Sequence, residues 1–213
     1  LKNVNVRKAL AYAIDRDIIV ERILQGGQKP SYNWTHWAIA DFERPELDWA
    51  DNMDQAQRVE KAKELLAEAG YGPDNPLDLT LQYNTSEDHK KIAIAASQML
   101  KQIGVNLTLD NYEWKVHTDR MQRQDYDMAR YAWCGDYNEF YNEAYDKLMK
   151  DSKTAEDPQP LYQEAEKILA EEMPIIPIYH YANVDMIAED IEGLPENNVN
   201  NTWYGKDLYR TAE

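Results

Sequence analysis

At 213 residues the chain is long enough for one globular domain or for one lobe of a larger molecule. Apolar residues make up 43% of it, without an uninterrupted run of the roughly 18 residues a membrane-spanning helix needs, so spanning helices are excluded. A formal charge of −16 argues against nucleic acid or an anionic membrane surface as partner, because both require a basic face, and leaves a cationic or amine-bearing partner open. The 15 Tyr and 6 Trp against 2 Phe fit either a surface that buries a partly polar ligand or an ordinary core. One cysteine excludes an internal disulfide. The opening "LKNVNVRKAL" has no apolar signal region, so an export signal is expected outside these residues and the chain is expected to start within a longer protein.

Val6, Ala9, Leu10, Ala13 and Ile14 have the spacing of a helix facing a core. Asp17 is placed to cap a second, short helix running to Gly26-Gly27. Residues 28–52, with Trp34, Trp37, Trp49 and two prolines, read as a long aromatic-rich connection. Asp54 and Gln57 have the spacing of a capping box, and the helix they open buries Val59, Ala62, Leu65, Leu66 and Ala69 before Gly70 ends it. Leu77, Leu79, Leu81 and Tyr83 alternate with polar residues, which predicts a strand with one buried face. Ser86 is placed to cap the next helix, which Gly104 closes, and a second strand follows through Val105, Leu107 and Leu109. A short helix over 114–123 leads to a third strand over about 126–133. Beyond it, Tyr141, Ala144, Tyr145 and Leu148 mark one helix, and Asp157 with Pro158 opens another that stops before Pro174. Residues 175–188 read as strand or extended chain, and the tail from Glu192 as loop.

Helices alternating with strands predict parallel strands and an α/β layer architecture, in which ligands bind at the carboxyl edge of the sheet. Asn84, Thr85 and His89, then Tyr112, Glu113 and Trp114, then Trp133 to Asp136 fall at that edge. Arg130 and Asp136 suit either ligand contacts, to a carboxylate and an ammonium group, or an internal salt bridge with a capping Asp. Cys134 reads as a nucleophile or as a small buried hydrophobe, and no cysteine-hydrolase signature surrounds it. His89 is either polar lining or a surface histidine. Trp114 and Trp133 are pocket walls or ordinary packing. The four histidines, His36, His89, His117 and His180, have no metal-ligand spacing, and Gly70 and Gly72 follow a helix rather than a strand, so they form no phosphate loop.

Five segments occur in order: "NVNVRKALAYAIDRDIIV", "KAKELLAEAGY", "YNTSEDHKKIAIAASQMLKQIGVNLTL", "YEWK" and "YDMARYAWCGDYNE". Together they resemble the C-terminal lobe of the periplasmic oligopeptide-binding proteins, peptide-class solute receptors of ABC importers. The resemblance implies a type II periplasmic-binding-protein-like α/β lobe with a mostly parallel sheet flanked by helices. Residues 1–180 would form the lobe, and residues 181–213 a return segment packing toward an N-terminal lobe. It also implies a non-enzymatic, monomeric receptor without cofactor or metal, periplasmic or otherwise extracytoplasmic. Such a receptor binds short peptides and delivers them to the membrane permease of an ABC importer.

By the same resemblance Asp136 matches the aspartate that holds a peptide's α-ammonium. Arg130 matches the arginine that faces its carboxylate or main chain. Trp114, Trp133, Cys134 and His89 would line side-chain pockets, and Tyr179 or Tyr181 would come from the segment returning toward the other lobe. The family carries a further loop and helix where Glu139 here runs into Phe140, and its arginine in the 114–123 helix falls at Met121, beside Arg120. Receptors for murein peptide, dipeptide, haem or glutathione are the alternatives within the family. A cysteine-dependent hydrolase built on Cys134 is the alternative outside it.

Overall fold

Asn3 opens the first helix: its side chain accepts from the Asn5 amide at 2.8 Å, and α1 (Val4–Ala13) buries Val6, Ala9, Leu10 and Ala13 as their spacing predicts. The structure, a computed structural model, describes residues 1–37, 39, 42–132, 142–182, 187–195 and 204–211. After α1 the expected short helix takes the form of a π-helical stretch (Ile18–Leu24). Asp17 makes no side-chain cap there. Asp15 does so instead, its Oδ1 accepting from Ile18 N at 3.0 Å. The connection read over residues 28–52 contains two elements that its composition hides, β1 (Lys29–Pro30) and α2 (Asp48–Asp51). Tertiary contacts select α2: Trp49 is buried and stacks on Tyr12, ring centroids 5.0 Å apart.

The expected capping box opens α3 (Gln55–Glu68). Asp54 Oδ1 accepts from Gln57 N and Gln57 Oε1 accepts from Asp54 N, both at 2.8 Å. Then come β2 (Leu77–Asn84), α4 (Glu87–Lys101), β3 (Val105–Tyr112), α5 (Trp114–Gln122) and β4 (Met128–Ala129). Gly70 and Gly104, after α3 and α4, take φ of 87° and 84°, a left-handed conformation that side-chain-bearing residues avoid. Ser86 stands at the N-cap of α4 without a side-chain cap bond; Glu87 and Asp88 place negative charge in that first turn.

The three strands form one parallel sheet in the order β3-β2-β4, with Leu77 opposite Val105 and Asn84 opposite Tyr112. The third strand is shorter than the sequence predicts. Its start is trimmed because Thr80 N donates to the side chain of Asp127 at 2.9 Å rather than to a backbone carbonyl. At its other end Arg130 N still donates to Gln82 O at 2.8 Å, but residues 130–132 are not strand, and residue 133, the last of the predicted strand, lies outside the described ones. Strand β2 also departs from expectation. Leu77, Leu79, Leu81 and Tyr83 are buried, yet Gln82 on the opposite face is only 1% exposed. The reason is α5, whose Arg120 Nε donates to Gln82 Oε1 at 3.0 Å and covers that face.

The main core joins α1, α3, α4 and the apolar face of the sheet through Leu10, Leu66, Leu79, Ile92, Leu100 and Val105. A satellite core of Tyr145, Ala165 and Leu169 lies between α6 (Glu143–Asp151), capped by Asn142, and α7 (Gln159–Glu172), where Asp157 Oδ1 accepts from Gln159 N at 3.1 Å. From the segment read as extended, β5 (Tyr179–His180) pairs antiparallel with β1, His180 opposite Lys29. The tail is not all loop: β6 (Ile191–Glu192) pairs antiparallel with β7 (Tyr209–Arg210), and Tyr209 Oη donates to Glu192 Oε2 at 2.9 Å.

Candidate ligand-binding site

The chain leaves β2 toward β3 on one side and returns, through α5, to β4 on the other. The carboxyl ends of β2 and β4 therefore flank the point at which open α/β sheets take their ligands. Arg130 emerges there, just beyond β4. Its Nη2 donates to Tyr179 Oη at 3.4 Å and to Tyr181 Oη, and the two tyrosine rings meet edge to face at 5.1 Å. Burial, reinforced by Tyr181, pushes the Tyr179 phenol up to about 12, so it stays protonated at neutral pH. Among the described residues Arg130 has no carboxylate at ion-pair distance.

His89 lies in the first turn of α4, half-buried, with Nδ1 3.4 Å from Asn84 O. Burial first, and the charge of Arg130 second, lower its titration, which keeps it neutral beside the guanidinium. His117 of α5 is fully buried, and its Nε2 donates to Arg130 O at 3.0 Å, fixing the backbone that carries the arginine. Trp114 and Tyr131 lie parallel, 9° apart with centroids 6.1 Å distant, and remain 53% and 46% exposed. They form an aromatic platform open to solvent beside the arginine.

Of the residues singled out in the sequence, the structure brings Arg130, Tyr179 and Tyr181 into contact, sets His89 within electrostatic reach of Arg130 and places Trp114 alongside. Asp136, Trp133 and Cys134, with Gly135 and the Glu139–Phe140 junction, lie outside the described residues. Three contributors escaped the sequence reading. His117 carried a signal, since it follows Trp114 by three residues and so shares its helix face. Tyr131 and Gln82 carried none, because their places depend on what α5 covers. Arg120 is engaged inside the fold, paired with Asp125 at 2.7 Å and lying 4.8 Å over the Tyr112 ring.

This arrangement can hold a ligand carboxylate or carbonyl by charge-assisted hydrogen bonds and stack an apolar group on the Trp114–Tyr131 platform. Among the described residues no three His, Cys, Asp or Glu side chains converge as a metal site would require.

Behind Tyr179 and Tyr181, burial and then His36 hold His180 down to about 4, against 6.5 in the unfolded chain. Between these values the unfolded chain binds the extra proton. His180 therefore contributes its full stability above 6.5 and loses it as the pH falls toward 4. With the ring partly exposed, the loss is on the order of 1–2 kcal/mol. Denaturant unfolding of wild type and His180→Asn at a series of pH values is expected to show a shallower acid decline in the variant.

The model of the bacterial extracellular solute-binding proteins, family 5 Middle, matches residues 1–154. The chain is 40% identical to the periplasmic murein peptide-binding protein MppA of Escherichia coli over 96% of its own length and 42% of that protein's. It is 38% identical to the periplasmic oligopeptide-binding protein OppA of Salmonella typhimurium over 97% of its own length and 42% of that protein's. It thus spans less than half the length of these curated relatives. Among solved structures, the Escherichia coli murein tripeptide-binding protein MppA superposes with a TM-score of 0.86 at 38% identity, over 98% of this chain and 45% of that one. Haemophilus influenzae OppA in complex with RPPGFSPFR superposes at 0.83 and 34% identity, over 98% and 45%. The fold is accordingly that of a type II periplasmic-binding-protein-like lobe, and the chain belongs to the bacterial extracellular solute-binding proteins of family 5.

Proposed function

We propose that this chain is the C-terminal lobe, residues 1–180 with a return segment over 181–213, of a monomeric extracytoplasmic receptor. The receptor binds short peptides and hands them to the permease of an ABC importer without transforming them. The observation that carries this reading is Arg130, a guanidinium with no carboxylate partner among the described residues. It sits at the ligand edge of the sheet between two tyrosine hydroxyls and an exposed aromatic platform. Arg130 takes the peptide carboxylate or a main-chain carbonyl, Asp136 takes the α-ammonium, and His89, Trp114, Trp133 and Cys134 line side-chain pockets. Contacts to main chain and termini make affinity tolerant of side-chain sequence. Relatives named for oligopeptides and for murein peptide support the reading and leave the peptide class to experiment.

Calorimetry of the complete receptor with trialanine and with murein tripeptide tests it. Binding is expected, with the tighter of the two ligands defining the class, and Asp136→Asn is expected to weaken it about tenfold or more through loss of a charge-assisted bond. N-acetylation of the peptide should remove most of the difference between wild type and variant. Failure of both peptides to bind the wild-type receptor would overturn the reading.

A further inference from the structure

Alternation along β5 sends Tyr179 and Tyr181 to one side and His180 to the other. The first side meets Arg130 through both phenols. On the second, His180 Nε2 lies 2.9 Å from Ser31 Oγ. Ser31 is 3% exposed and already gives its one hydroxyl proton to Asn33 O at 2.7 Å, so the bond to the histidine runs from His180 Nε2–H to the serine oxygen. The imidazole of His36 lies against the same ring, centroids 4.6 Å apart.

Two charged groups near His180 are engaged elsewhere. Lys29, the cross-strand partner of His180, places its ammonium 3.8 Å over Trp37, next to His36. The carboxylate that α7 brings to the same loop, Glu166, accepts from Trp34 N at 3.0 Å and Thr35 N at 2.6 Å. The backbone ladder holding β5 is short: two register pairs with β1, plus Ser31 N donating to Ile178 O at 3.0 Å. Arg16 ties the chain just ahead of β5, its Nε donating to Pro177 O at 2.9 Å, and the His180–Ser31 bond fastens the strand itself.

We propose that His180 is a positioning residue for the ligand-contacting face: by fastening β5 to Ser31 it sets Tyr179 and Tyr181 on Arg130. The coupling is a property of the fold, and its effect on affinity rests on the peptide-receptor reading.

The test uses the complete receptor with 15N-labelled arginine, the Arg130 guanidinium resonance being identified by its loss in Arg130→Lys. His180→Ala is expected to shift that resonance. His180→Gln, which keeps an N–H for Ser31, is expected to leave it in place. In the same samples trialanine affinity by calorimetry is expected to fall by about fivefold or more in His180→Ala and to hold within about twofold in His180→Gln. An unmoved Arg130 resonance in His180→Ala, with only a lowered unfolding midpoint, would reduce the residue to a structural role and overturn the proposal. A shifted resonance with unchanged trialanine affinity would overturn its functional half. A shifted resonance in a receptor whose wild type binds no peptide would uphold the coupling and sink the peptide-receptor reading alone.

Discussion

Arg16→Met is expected to lower the thermal unfolding midpoint by on the order of 10 °C, through a loss of about 3–5 kcal/mol. Arg16 is fully buried, and among the described residues no carboxylate stands at ion-pair distance from it. Its Nε donates to Ser31 O at 2.8 Å and Pro177 O at 2.9 Å, and its Nη1 to Ala11 O at 3.0 Å and Ile14 O at 2.9 Å. The guanidinium carbon sits 4.7 Å from the Tyr32 ring centroid and 4.9 Å from that of Trp49. Desolvation brings its titration down to about 10, which leaves it charged at neutral pH. One side chain thus joins the end of α1, the loop after β1 and the segment entering β5. Methionine fills much of the volume but leaves four carbonyls without this donor, and unpartnered buried acceptors are costly. Arg16→Lys is expected to recover less than half of the loss, because an ammonium cannot reach both carbonyl pairs or stack on two rings. Unfolding monitored by circular dichroism measures both variants; a methionine variant within about 1 kcal/mol of wild type would show that the carbonyls find other donors.

The second large effect concerns binding. Arg130→Met in the complete receptor is expected to weaken tripeptide affinity by about tenfold to a hundredfold, the scale of a charge-assisted hydrogen bond lost at a partly buried site. The fold should tolerate the change, since the backbone of Arg130 stays bonded to Gln82 and His117. A companion readout is independent of ligand. The Arg130 charge is the second cause, after burial, lowering His89, so the variant should raise the His89 titration. Proton NMR of the histidine ring measures this. An unchanged tripeptide affinity alongside a raised His89 titration would place Arg130 at the sheet edge but away from the ligand.

The two residues also mark what a linear reading can and cannot reach. Arg130 stood out because a charged residue interrupts a strand pattern near the carboxyl edge. Arg16 attracted no attention, because an arginine between two aspartates reads as a helix-terminal surface charge. Its burial follows only when Tyr32, Trp49 and Pro177, distant in sequence, close around it.

The local physics of this chain is written in its sequence: the helix stripes, the Asp54–Gln57 box, the glycines after α3 and α4, and the alternation of Leu77, Leu79, Leu81 and Tyr83. Each is satisfied within a few residues, so period and cap chemistry suffice to predict it. The resemblance of five ordered segments extended this to the family, whose fold the superpositions share. Tertiary structure decided the rest. It paired β1 with β5, buried both faces of β2 at Gln82, and chose Asp127's side chain over a longer β4. Above all it brought Tyr179 and Tyr181 to Arg130 across about fifty residues of chain. Such contacts leave no periodic trace, because they depend on which surfaces meet once the local elements have packed.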